Sequence, residues 1–301
     1  MTHFADQLVA RIADLSNPTV VGLDPHFEMI PEFIRKDAER KHGKTTLAAA
    51  HAILTFNHGI IDALADLVPA VKPQIAFYEC FGFEGLRAYQ ETCAYAKKKG
   101  LLVIGDAKRN DIGSTAEAYA RGHLGKVDLF GTPTEIFSQD ALTITPYLGS
   151  DGIHPFIKQA QENDKGIFVL VRTSNASADE IQGQPVGEEL MDEVVAGLVS
   201  NWGRETVGKS GFSLVGAVVG ATYPEEANIL RSLMPHQIFL VPGFGAQGGT
   251  AADVKPCFHK NGTGAIVNSS RGIIFAGKDE GYAEAARKSA IKMKEELATL
   301  F

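Results

Sequence analysis

The chain has 301 residues, 45% of them apolar and 22% charged, with 31 glycines and a formal net charge of −7. That length buries one large core, while the charge content and the lack of any run of eighteen apolar residues argue against disorder and a membrane span. A general nucleic-acid or membrane surface needs a basic footprint, so any positive charge that works here is local. We therefore expect one soluble domain spanning 1–301. The first residues, Met1-Thr2-His3-Phe4, lack a basic region leading into an apolar core, and Cys80, Cys93 and Cys257 are odd in number without a Cys-x-x-Cys pair. Both features point to a reducing cytoplasm and away from a zinc site.

Short β-branched runs recur along the chain and alternate with stretches of helical periodicity, the pattern of repeated βα units. The predicted strands cover 19–23, 70–72, 101–105, 142–145, 167–171, 214–219, 238–241 and 265–268. The predicted helices cover 45–67, 83–99, 114–126, 152–163, 186–209, 224–233 and 251–260, with a closing helix over 281–300. Residues 25–44, 128–140 and 176–184 read as loops or small insertions. Strands this apolar are expected where both faces are covered, and eight such units predict an α/β fold closed as a (β/α)8 TIM barrel. The competing open, doubly wound sheet needs a glycine-rich turn after its first strand, whereas Gly22-Leu23-Asp24-Pro25 stands there.

In a barrel of this kind the polar residues just past each strand form one ring, where the active site sits. Asp24, Lys72, Asp106 with Lys108, Arg172 to Asn175, Pro242 to Gly245 and Asn268 to Arg271 all fall there. Asp106 and Lys108 are two apart, which in an extended chain points both toward the mouth, and Lys72 reaches the same place from the adjacent strand. Opposite charges held together keep the lysines protonated and the carboxylate ionised. Glycine-rich 243–249 with Gln247, followed by Arg271, occupies the position where barrels bind phosphate. Lys97-Lys98-Lys99 reads as a helix C-terminus, Trp202 and Phe77-Tyr78 as core or interface, and Ser269-Ser270 lacks a nucleophile-elbow setting. The nine histidines show no ligand spacing.

Seven segments carry a family resemblance: GLDPH at 22–26, VKPQIAFYE at 71–79, DAKRNDIGSTA at 106–116, ITPYLGSDG at 144–152, RTSN at 172–175, VPGFGAQGG at 241–249 and VNSSRGI at 267–273. Over residues 20–275 the chain resembles orotidine 5′-monophosphate decarboxylases, especially the longer-chain bacterial branch. The resemblance implies a cytoplasmic, cofactor-free carboxy-lyase of pyrimidine biosynthesis that converts orotidine 5′-monophosphate to UMP and CO2, with no nucleic-acid or membrane partner. It also implies a homodimer with shared active sites. Lys72, Asp106 and Lys108 would come from one subunit and Asp111 with Ile112 from the other. Asp24, Lys72 and Thr115 would surround the ribose, Ser174 would meet the pyrimidine, Gln247 and Arg271 would hold the phosphate, and Pro242 would also bind the substrate. Lys108 would favour the charge developing at C6 and deliver the proton there, beside Asp106 near the departing carboxylate and braced by Asp111 and Lys72. One departure is Ala176-Ser177, where the branch often has Pro-Gly.

Two rivals stand beside this reading. A metal-assisted sugar-phosphate lyase or synthase on a related barrel reuses Asp-x-Lys-x-x-Asp, although a metal site would more naturally place a carboxylate at Lys72. A nucleotide sensor would need the phosphate grip but not the Lys/Asp array.

Overall fold

The computed structural model describes residues 3–245 and 248–300. Its strands β1 (Thr19–Leu23), β2 (Ala70–Pro73), β3 (Leu102–Arg109), β4 (Ala141–Ile144), β5 (Gly166–Arg172), β6 (Val215–Val219), β7 (Phe239–Val241) and β8 (Ala265–Ser269) pair in parallel. They close in chain order into an eight-stranded barrel, with β8 returning to β1.

The period-2 side-chain alternation explains why these strands are apolar throughout. One set of side chains, among them Val21, Val71, Val103, Leu142, Val169, Ala217 and Val267, packs against the surrounding helices. The alternate set, Val20, Ala70, Ile104, Phe168, Val218, Leu240 and Ile266, fills the barrel interior. Helix α1 (Phe4–Leu15) contributes Phe4, Ala5 and Leu8 to that second cluster, and the Phe4 ring meets Phe168 edge-on with centroids 6.2 Å apart. The barrel is therefore plugged at its N-terminal end, and only the opposite end stays open.

The outer layer follows the predicted order: α3 (Thr46–Leu64), α4 (Gly82–Lys98), α5 (Gly113–Leu124), α6 (Ser150–Asn163), α7 (Met191–Gly203), α8 (Pro224–Leu233) and α9 (Tyr282–Ala298). Helix α3 has the length and mean hydropathy of a membrane span, 1.2, but Ala52, Ile53, Phe56, Ile60 and Ile61 are buried in the protein core. Five segments differ from the sequence expectation. Helix α1 was not foreseen. Residues expected as loop form α2 (Glu32–His42), a charged helix that buries only Ile34 and Ala38, four apart on one face. Within 128–140 an antiparallel hairpin pairs Val127–Leu129 with Thr132–Thr134. The long helix expected over 186–209 begins only at Met191, after a second hairpin of Pro185–Val186 and Glu189–Leu190, where Gly187 at φ +69° turns the chain. The helix expected over 251–260 stops at Val254 and continues as a 3-10 turn through Pro256, whose ring lacks the N–H that a longer helix would use.

Candidate active site

A cavity of about 710 Å³ opens at the carboxyl ends of the strands. Leu170, Val218 and Leu240 form its apolar floor, and these side chains belong to or pack against the cluster that fills the barrel. Polar groups rise around that floor from β1 through β8. Gly22 shapes one wall: a Cβ there would stand 1.8 Å from the Ser270 hydroxyl oxygen, so only glycine lets the end of β8 lie over β1.

The charged array stands on the β2–β3 side. Asp106 accepts from Lys72 Nζ through Oδ2 at 2.6 Å and from Lys108 Nζ through Oδ1 at 2.6 Å. Lys72 and Asp106 are buried, while the Lys108 side chain is 46% exposed at the cavity. Burial works against the charge of Asp106, yet the two ammonium groups outweigh it and hold the carboxyl far below the usual carboxylate range. Burial likewise opposes the charge on Lys72, but Asp106 and Asp24 raise its pKa above the ordinary lysine value. The pair is thus ionised on both sides in a site largely shielded from water.

Asp106 and Lys108 do meet, as predicted, but strand alternation is not what brings them together. Lys108 has φ +48°, in the left-handed region, and the β3–β4 register jumps between Gly105 and Arg109. The bulge swings the lysine back toward its own strand neighbour Asp106.

Asp24, Lys72, Asp106, Lys108, Ser174, Pro242 and Arg271 all line this one cavity. Asp24 lines the cavity, and its Oδ1 is buried with no hydrogen-bond partner among the described residues. Arg271 is exposed and opens the short helix Arg271–Ile274. Gln247 lies outside the described residues. Asp111, Ile112 and Thr115 are not brought to the lining. Ile112 is 55% exposed at the start of α5, and Thr115 lies on a separate groove with Arg109, Tyr119 and His123. Arg172, read with its neighbours as part of the ring, is buried behind it. Its guanidinium donates to Asp179 at 2.6 Å, approaches Asp192 at 3.7 Å and covers the Tyr223 ring at 3.9 Å. Thr173, Ser174 and Asn175 beyond it do reach the cavity.

Several lining groups were not singled out from the sequence. Gln182 accepts from the Thr173 backbone N–H at 2.8 Å and fixes the loop that presents Ser174. Its only sequence signal is an amide inside a polar loop. Thr143 bonds to Asp106, and its signal is a lone hydroxyl in an otherwise apolar strand. His26 packs on Phe77 at 4.3 Å beside the mouth, so Phe77 belongs to the site wall.

A closed parallel barrel with a buried, ion-paired Lys/Asp cluster at its carboxyl end and an arginine at the end of its last strand belongs to the barrel enzymes that act on small anionic molecules. Residues 47–286 match the model of the Orotidine 5'-phosphate decarboxylase / HUMPS family, and the chain belongs to that family. It is 45% identical to an orotidine 5'-phosphate decarboxylase of Rhodopirellula baltica, over 99% of each chain. It is 41% identical to one of Caldicellulosiruptor saccharolyticus, over 98% of this chain and 96% of the relative. Among solved structures it resembles Leishmania donovani OMP decarboxylase, with a TM-score of 0.75 and 30% identity over 99% of this chain and 98% of that one. The predicted closed barrel and the predicted family are both borne out.

Proposed function

We propose that this chain decarboxylates orotidine 5′-monophosphate to UMP and CO2, with Lys108 as the proton donor to C6. The observation that carries the reading is the buried Lys72–Asp106–Lys108 cluster at the open end of the barrel. When the C6–carboxylate bond breaks, its electron pair stays on C6, CO2 leaves, and a proton from the Lys108 ammonium forms the new C–H bond. Solvent then returns that proton to lysine. An ammonium already fixed by Asp106 favours charge that appears only as the bond breaks and needs no reorganisation at that moment. Asp106 beside the substrate carboxylate raises the energy of the bound anion, and neutral CO2 relieves that repulsion.

The remaining groups divide by position. Asp24, with its unpaired Oδ1, suits a ribose hydroxyl, Ser174 the pyrimidine edge, and Pro242, Gln247 and Arg271 the phosphate. Phosphate bound at that end supplies binding energy that positions the base over Lys108. We further propose a cytoplasmic homodimer in which Asp111 and Ile112 complete the partner's site and Thr115 lies beside it. The reading is supported by the exposed apolar side chains Phe83, Ile112, Tyr147 and Leu148, which follow the neighbouring strands β2, β3 and β4. Large apolar side chains exposed on one side of a barrel suit an interface between copies.

The test is the ultraviolet change as orotate becomes uracil, followed with a chelator present. Rapid conversion that Lys108→Ala lowers by about 10²-fold or more is expected, since losing one group aimed at developing charge costs about 2.7–4 kcal/mol. Near-normal turnover in Lys108→Ala would remove the proton-donor role. No conversion would favour the metal-assisted sugar-phosphate chemistry, tested next on sugar-phosphate substrates with magnesium restored.

A further inference from the structure

We infer that Thr143, a residue of β4 with no part in the scheme above, is a positioning residue for the reaction, holding both ends of the Asp106-Ala107-Lys108 unit through one hydroxyl group. The inference rests on the proposed role of Lys108.

Three residues of β3 stand against one residue of β4. The ladder pairs Gly105 with Leu142 and then Arg109 with Ile144, so 106–108 bulge opposite Thr143 alone. A bulge leaves backbone N–H groups without ladder acceptors, and buried N–H groups need partners. Thr143 Oγ1 accepts from the N–H of Ala107 at 3.1 Å and from the N–H of Lys108 at 3.1 Å. Its one proton goes to Asp106 Oδ1 at 2.9 Å, the oxygen that also receives Lys108 Nζ. The hydroxyl is therefore fully used, as two acceptor positions and one donor, and Thr143 is 1% exposed.

This matters because Lys108 is a non-glycine residue at φ +48°. A left-handed conformation is unfavourable for a side-chain-bearing residue and persists only where surrounding structure enforces it. Here the enforcing contact is the pair of N–H bonds to Thr143. Released from it, residues 106–108 relax toward extended backbone, and the Lys108 ammonium leaves the place where it meets Asp106 and the cavity. The same contact supplies Asp106 with a hydrogen bond to its charged form. Thr143 thus sets the distance between the two charges on which the chemistry depends, without itself moving a proton.

Thr143→Val keeps the shape and β-branching and removes only the oxygen. Turnover is expected to fall about tenfold or more, because the N–H groups of Ala107 and Lys108, the first of them buried, lose their acceptor where the lysine is aimed. The Michaelis constant for orotidine 5′-monophosphate and the dissociation constant of UMP should stay within about threefold, since the ribose and phosphate contacts are untouched. Thr143→Ser, which restores the oxygen, should recover turnover to within about threefold of wild type. If Thr143→Val does not fold, Thr143→Ala against Thr143→Ser makes the same comparison. Turnover within threefold of wild type without the hydroxyl overturns the inference, as does a loss shared equally by turnover and UMP binding, or no rescue by serine. Lys108→Ala is measured alongside. If it is as active as wild type, the proposed role of Lys108 fails; if it is inactive while Thr143→Val is fully active, only the role of Thr143 fails.

Discussion

Removing Lys72 tests how the charged cluster stores free energy. Lys72 and Asp106 are 4% and 7% exposed and meet at 2.6 Å, so Lys72→Met leaves a carboxylate in a buried site with one ammonium instead of two. Breaking a buried pair from one side costs about 3–5 kcal/mol, because the remaining charge stays desolvated. Asp106 keeps Lys108 and the Thr143 hydroxyl, which puts Lys72→Met near the lower end, about 3 kcal/mol. Asp106→Asn strands the more deeply enclosed Lys72 with Asp24 as its remaining counter-charge, toward about 5 kcal/mol. The double variant carries neither stranded charge and should be no worse than the poorer single, a coupling of about 3 kcal/mol. Urea unfolding at fixed protein concentration, followed through Trp202, the one tryptophan and itself buried, reads these differences. The depressed Asp106 pKa fixes the pH sign: its pairing stabilises the fold above the unfolded carboxylate pKa, about 4, and that stabilisation is lost as pH falls further. The measurement therefore belongs at pH 7. Penalties that simply add, to about 8 kcal/mol in the double variant, would refute the view that Lys72 and Asp106 hold each other ionised.

Three further outcomes are expected. A mixed population of Lys108→Ala and Asp111→Ala chains, each inactive alone, should regain activity in heterodimers, where one of the two shared sites has every wild-type group; no recovery on subunit exchange would remove Asp111 from the partner's site. Arg271→Ala should lower turnover as well as raise the Michaelis constant, and a raised Michaelis constant with unchanged turnover would show that the phosphate grip adds only uniform binding. His123 is buried against Phe137 with its pKa lowered to about 4 by burial, so its neutral form is favoured in the fold. Its contribution is complete above the unfolded histidine pKa, about 6.5, and falls by up to about 3 kcal/mol as pH drops from there to 4. Replacing His123 by Gln should flatten the stability profile across that window, and an unchanged slope would assign acid sensitivity elsewhere.

The barrel was legible because each strand shows its two apolar faces as an unbroken run, and because helices of usual length separate them. Lys72, Asp106 and Lys108 were legible because charge directly after such a run has nowhere to go but the mouth. What stayed hidden has physical causes. Helix α2 carries so many charges that its two buried positions, Ile34 and Ala38, make no visible stripe. Thr143 is β-branched, so in a strand it reads as an ordinary β-former, and its hydroxyl gains meaning only from a bulge on the neighbouring strand. That bulge has no marker, since left-handed positions are sought at Gly or Asn and this one holds Lys108. Arg172 was placed with its neighbours in the ring at the barrel mouth, yet the acids that hold it, Asp179, Asp192 and Glu226, are spread along the chain and only the fold gathers them.

The apolar plug beneath the cavity also governs traffic. With Phe4, Ala5 and Leu8 sealing the far end and Leu170, Val218 and Leu240 roofing what lies between, the reaction chamber is a cul-de-sac. Under the proposed reaction, nucleotide would enter and leave through the same opening, and the small gas molecule made beneath the pyrimidine would have to pass it or wait behind it. A dead-end chamber of this kind gives the mouth, and the loops that follow the strands around it, control over the order in which products depart.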